Sequence, residues 1–242
     1  MRLDISWKLD RTQKYFDIWN SNADSMRTDQ DLNNSGSSTL VNWGTVQRAI
    51  DNYRQWIIAG LQFFDELNIY PDMDNLVVGS PENISGLSDG QRTTVMTHWI
   101  GAGANLIVGN DMTALDDLGT NLLTNAQAMQ VAAFAAQYPM QPRNPGSGGQ
   151  DATQLQAWIA GPSSSGEAVV VLVNLGPDNG QGGFGSQTSG VQTVTATWQD
   201  LGISGQFNVQ DIWNNKSLGV VGDQVSAQLN EGDSVLLHLT PA

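Results

Sequence analysis

A change of hydrophobic period part-way along the chain constrains its fold more than any other feature. Over residues 1–137, four short apolar runs at 3–7, 25–32, 75–79 and 105–109 alternate with helical stripes. Val46, Ile50, Tyr53, Ile57, Leu61 and Phe64 recur every three or four residues, the spacing of one buried helical face, so a helix is expected from about 43 to 67. Further helices are expected over 11–22, after a Ser88/Gln91 capping box, near 114–123, and over 125–137 behind a Thr124/Gln127 box. Strand–helix alternation of this kind implies βα units on a parallel sheet. Residues 138–151 hold three prolines and three glycines and read as a linker. Beyond them, 154–159, 168–175, 191–198, 207–213, 224–229 and 234–239 are short, β-branched and often alternating, with a Gly-rich loop at 176–190. Residues 152–242 therefore read as an antiparallel β-sandwich.

Charge and composition narrow the function. Ten Lys and Arg face 24 Asp and Glu, for a net charge of −14. Such a surface repels phosphate backbones and anionic lipids, which argues against nucleic-acid or membrane partners and suits a neutral ligand such as a sugar. No apolar run approaches the roughly 18 residues of a membrane span. The chain has no cysteine, which excludes disulfides, thiolate catalysis and Cys-ligated zinc. His98 and His238 lack local partners for a triad or a metal site and are expected in structural roles. The Gly-rich loops lack the Lys-Ser/Thr of a phosphate cradle.

Carboxylates remain as candidates for chemistry. Arg27, Asp29 and Asp31 alternate within one strand pattern and so share a face if the strand runs through all three. At the end of a strand of a parallel barrel that face opens on the catalytic side. An Arg four residues before an Asp can hold a sugar hydroxyl while the Asp protonates a glycosidic oxygen. The alternative is a solvated, mutually paired edge.

Four ordered segments resemble glycoside hydrolase family 27, the α-galactosidase and α-N-acetylgalactosaminidase family. Ile5-Ser6-Trp7 is similar to its fifth barrel strand, and Met26-Arg27 through Asp31-Leu32 to the Arg-x-x-x-Asp of its sixth. Tyr70-Pro71-Asp72-Met73 is similar to the Asp-Pro-Asp-Met of the seventh, and Asn105 through Asn110-Asp111 to the eighth. Segments 194–203 and 209–213 and the pair Leu218-Gly219 look like the family's terminal β-domain.

The resemblance implies an α/β plus all-β chain: the C-terminal half of a TIM (β/α)8 barrel, strands five to eight, followed by the sandwich. It implies a retaining hydrolase acting on terminal α-linked galactose, with Asp31 as general acid/base. Arg27, Ser6, Trp7, Asp29, Asp72 and Met73 would contact sugar, with Asp29 at the rim. No cofactor and no metal is implied. Ser6 is smaller than the acidic residue usual in α-galactosidases, which resembles the N-acetylgalactosaminidase side of the family, and Tyr70 replaces the first Asp of its motif. The family's nucleophile sits in a fourth-strand Lys-x-Asp. Lys8-Leu9-Asp10 matches those letters but follows the fifth-strand pattern, so it reads as a surface loop pair. The nucleophile is therefore expected upstream of Met1. Two readings follow: a piece of a complete enzyme, or a non-catalytic half-barrel that binds sugar or self-associates through its open edges. The family resemblance also implies secretion, with which N-glycosylation triplets at Asn33, Asn83 and Asn215 agree.

Overall fold

The computed structural model describes residues 2–6, 10–34, 36–61, 69–143, 151–178, 180, 181, 183, 185 and 187–242. Its first part runs β1 (Asp4–Ile5), α1 (Gln13–Asn22), β2 (Ser25–Arg27), α2 (Trp43–Ile58), β3 (Tyr70–Asp72), α3 (Glu82–Ser85), α4 (Asp89–Gly101), α5 (Asp117–Thr124) and α6 (Ala126–Ala135). The three strands form a parallel sheet in the order β1-β2-β3. A fourth segment runs alongside: the Asn105 amide donates to the Pro71 carbonyl, and Leu76 and Val108 form a parallel bridge.

The second part comprises β4 (Gln141–Arg143), α7 (Asp151–Gln154), β5 (Leu155–Ala160), β6 (Ala168–Asn174), β7 (Gln192–Thr197), α8 (Trp198–Leu201), β8 (Phe207–Asp211), β9 (Lys216–Val221), β10 (Gln224–Leu229) and β11 (Ser234–Pro241). All its strand pairs are antiparallel, in a six-stranded sheet β4-β5-β6-β11-β8-β9 and a two-stranded sheet β10-β7.

Several boundaries differ from the expectations. The third strand pairs at 70–72 rather than 75–79, because Asp74 adopts a left-handed backbone (φ 72°) that ends the ladder. Helix α2 stops at Ile58, followed by Gly60 at φ 75°, a common way for a helix to end. Helix α6 is capped by Asn125, which accepts from the Ala128 amide, and not by Thr124. The Ser88/Gln91 capping box forms as expected. The stretch expected as a linker contains β4, an edge strand, where Pro142 is tolerated. Phe64 lies outside the described residues.

The sandwich sheet is covered on both faces, which explains the unbroken apolar run of β6, buried at all seven positions. Val169, Val171 and Val173 face a core shared with Tyr53, Trp56, Trp99 and Val131 of α2, α4 and α6. Ala168, Val170 and Leu172 face a second core between the two sheets, with Val194, Val209 and Val225. Trp158 of β5 is fully buried in the shared core, stacked on Tyr53 at 5.8 Å and edge-on to His98. His98 Nδ1 donates to the Thr94 carbonyl at 3.2 Å, and burial lowers its pKa to about 4. His238 pairs with Glu167 at 2.7 Å. Hydrogen bonds reinforce the junction: Trp43 Nε1 and Gln47 Nε2 both donate to the Leu175 carbonyl at 2.8 Å, and Thr94 donates to that of Gly232.

Because Trp158 belongs to both layers, Trp158→Ala should lower unfolding free energy by about 3–5 kcal/mol in urea denaturation. Val191→Ala, at an exposed site, should change it by less than about 0.5 kcal/mol.

Candidate active site

The site begins where β2 and β3 end, side by side, with Arg27 in register with Asp72. Arg27 is buried, and its guanidinium meets three carboxylates: Asp31 at 3.2 Å, Asp74 at 2.9 Å and Asp72 at 3.8 Å. Its Nε has no hydrogen-bond partner among the described residues. Asp74 is bound on all sides. Its Oδ2 also accepts from the Leu32 amide, its Oδ1 from the Asn75 amide, and its own amide donates to Asp72 Oδ1 at 2.7 Å. These bonds hold its left-handed backbone and tie the end of β3 to the loop after β2. Burial raises the Asp72 pKa from 3.8 to about 6, against the lowering effect of the Asp74 amide and Arg27. Asp4, on β1, adds a further upward push.

Asp31 differs from its neighbours. Its side chain is 70% exposed, yet the loop that carries it is fixed at nearly every residue. Trp56 Nε1 donates to the Thr28 carbonyl, Arg48 to the carbonyls of Gln30 and Asp31, and Thr45 Oγ1 to that of Leu32. Asp29 is clamped by Arg48 Nε at 2.7 Å and by Asn52 Nδ2 at 3.0 Å. An exposed carboxylate on a fixed loop suits proton transfer to a bound ligand, because little order need be gained when the ligand arrives.

The expected residues therefore divide. Arg27, Asp31 and Asp72 come together. Asp29 does not share their face: β2 ends at Arg27, so the alternation assumed for 27, 29 and 31 stops, and the Asp29 side chain turns to α2. Met73 lies in the hydrophobic core at 1% exposure. Ser6 is exposed just after β1. Trp7 lies outside the described residues, as does Lys8 of the Lys8-Leu9-Asp10 pattern. Sequence reasoning missed Arg48 and Asp74. Thr45, Arg48, Asn52 and Trp56 form a second stripe on α2 at spacings of 3, 4 and 4, the one signal that could have revealed Arg48. Asp74 is visible only as the second acid of Asp72-Met73-Asp74.

Residues 152–239 match the family model described as the alpha galactosidase C-terminal beta sandwich domain. The chain is 54% identical over 240 residues to alpha-galactosidase 3 of Hypocrea jecorina, covering 99% of this chain and 38% of that protein. It is 45% identical over 208 residues to the putative alpha-galactosidase 8 of Emericella nidulans, covering 84% and 41%. It thus spans about two fifths of the length of these curated relatives. Among solved structures it resembles a family 27 β-L-arabinopyranosidase from Geobacillus stearothermophilus, with TM-score 0.77, 18% identity, and coverage of 100% of this chain and 50% of that one. Alpha-galactosidase I from Mortierella vinacea shares the fold with TM-score 0.66, 18% identity, and coverage of 94% and 56%. Over nearly its whole length the chain is thus similar to part of an alpha-galactosidase, and residues 152–239 carry the sandwich domain of that model.

The raised Asp72 pKa carries a sign. Between about pH 4 and 6 the folded state keeps a proton that the unfolded chain has released, so this group's contribution to stability falls as pH rises through that window. Asp72→Asn has no such proton. Thermal unfolding across pH 4 to 7 should show wild type losing stability relative to Asp72→Asn as pH rises; parallel profiles would refute the raised value.

Proposed function

We propose that this chain supplies the acid/base half of a retaining α-galactosidase-type hydrolase that cleaves terminal α-linked galactose from oligo- or polysaccharides. The observation that carries the reading is Asp31, an exposed carboxylate on a fixed loop, 3.2 Å from a buried Arg27. In this reading Asp31 protonates the leaving oxygen while a second carboxylate attacks the anomeric carbon, breaking the glycosidic bond and forming a sugar ester. Asp31, now ionised, takes a proton from water, and that water displaces the ester to release the sugar and the second carboxylate. Arg27 and Asp72 hold sugar hydroxyls.

The second carboxylate is assigned to a part of the barrel beyond these 242 residues. Exposed apolar side chains at both sides of the parallel sheet support this. Leu3, Tyr15 and Ile18 lie at the β1 side, and Ile107, Val108 and Met112 at the other. Among the described residues neither edge carries a further strand. Completing the sheet would cover such edges, which otherwise favour pairing with a second copy. The relatives' greater length agrees with a half-barrel joined to upstream strands. Secretion of the whole protein belongs to the same reading.

The test is hydrolysis of an alkyl α-galactoside by a polypeptide carrying this chain with its upstream half. Asp31→Asn should lower kcat/KM by about 10²–10⁴-fold. Equal rates for the two proteins would sink the assignment. Galactose binding by calorimetry with no turnover in either would favour a binding module instead.

A further inference from the structure

We propose that Arg48 is a positioning residue for proton transfer by Asp31, setting the direction of that carboxylate through the loop that carries it. The inference rests on the acid/base reading of Asp31. Arg48 uses all three guanidinium nitrogens. Nε donates to Asp29 at 2.7 Å, Nη2 to the carbonyls of Asp31 at 2.8 Å and Gln30 at 3.3 Å, and Nη1 to Gln181 of the sandwich's Gly-rich loop at 3.4 Å. It touches the backbone of the acid residue itself but makes no contact with its carboxylate, which meets Arg27 instead.

The geometry separates two tasks. Arg27 acts on the Asp31 side chain from the sheet; Arg48 acts on its main chain from α2. The Asp31 carboxylate is exposed, so packing does not choose its direction. With Arg27 fixed at the end of the sheet, that direction also depends on the backbone of residues 29–32, and Arg48 is the group that binds three of those four residues. A planar fork of fixed donors can span a carboxylate and two carbonyls at once, which a lysine ammonium on a flexible stem cannot. The neighbouring Asn52, one turn on, completes the hold on Asp29 and accepts from Arg11.

A plainer account would give Arg48 only the task of neutralising the buried Asp29, since removing one partner of a buried pair is strongly destabilising. The two accounts differ in what they do to proton donation. A misdirected acid harms substrates whose leaving group needs a proton and spares those whose leaving group does not.

The experiment uses the polypeptide carrying this chain with its upstream half, and two α-galactosides: an alkyl one, whose leaving oxygen needs protonation, and a dinitrophenyl one, whose leaving group does not. Arg48→Met and Arg48→Lys should each lower kcat/KM for the alkyl substrate about tenfold or more, and for the dinitrophenyl substrate less than about threefold. Asp29→Asn/Arg48→Met removes the buried carboxylate along with the cation, and so keeps the test open if the single variant fails to fold. It should retain the same substrate-dependent loss. Equal losses on both substrates, or recovery of alkyl-substrate activity in the double variant, would overturn the proposal and leave Arg48 as a charge partner. Asp31→Asn distinguishes the two levels. If it shows the substrate-dependent loss and the Arg48 variants do not, only this inference fails. If it does not, the acid/base reading fails and the inference with it.

Discussion

Helix α2 is held from two sides at once, and the rest of the arrangement depends on that. One stripe, Val46, Ile50, Tyr53 and Ile57, packs into the core that the helices share with the sandwich sheet. The other, Thr45, Arg48, Asn52 and Trp56, binds the loop after β2. Trp43 and Gln47 then fasten the first turns to the carbonyl of Leu175 at the end of β6. The helix thus converts burial in one layer into geometry at the site in another.

This explains the role of a β-domain in a chain whose site lies on the parallel sheet. Strands two or three residues long make few ladder hydrogen bonds, so this sheet depends on the layers packed against it. The sandwich supplies the missing apolar surface through Trp158, Val169, Val171 and Val173. Burial of this kind is non-directional, so it holds α2 in place without specifying the site. Direction comes from the second stripe, whose hydroxyl, guanidinium, amide and indole groups donate to the loop.

Much of this was legible in the sequence where burial is one-sided or total. Strand β10 falls where alternation placed it, and β6 shows as an apolar run because both faces are covered. Strand β9 was missed because it is an exposed edge whose side chains follow no buried face. Strand β4 was hidden by its proline. At the site, Arg27 and Asp31 were legible from their spacing of four, and Asp72 from the resemblance carried by Tyr70-Pro71-Asp72-Met73. Asp29 was misplaced because alternation was carried past Arg27, where the strand stops. Arg48 was missed because two of its partners are backbone carbonyls, which carry no sequence signal, and its carboxylate partner Asp29 was placed on another face; Asp74 was missed because its importance lies in a left-handed backbone that carboxylate bonds stabilise.

The central claim is that α2 transmits the hold of the sandwich to the loop bearing Asp31. Hydrogen exchange by mass spectrometry tests it most directly, in Gln47→Ala, which removes the bonds to the Leu175 and Pro177 carbonyls without touching the loop. The account predicts faster exchange in residues 28–32 as well as in α2. Faster exchange confined to α2 and the segment after β6, with 28–32 unchanged, would contradict it.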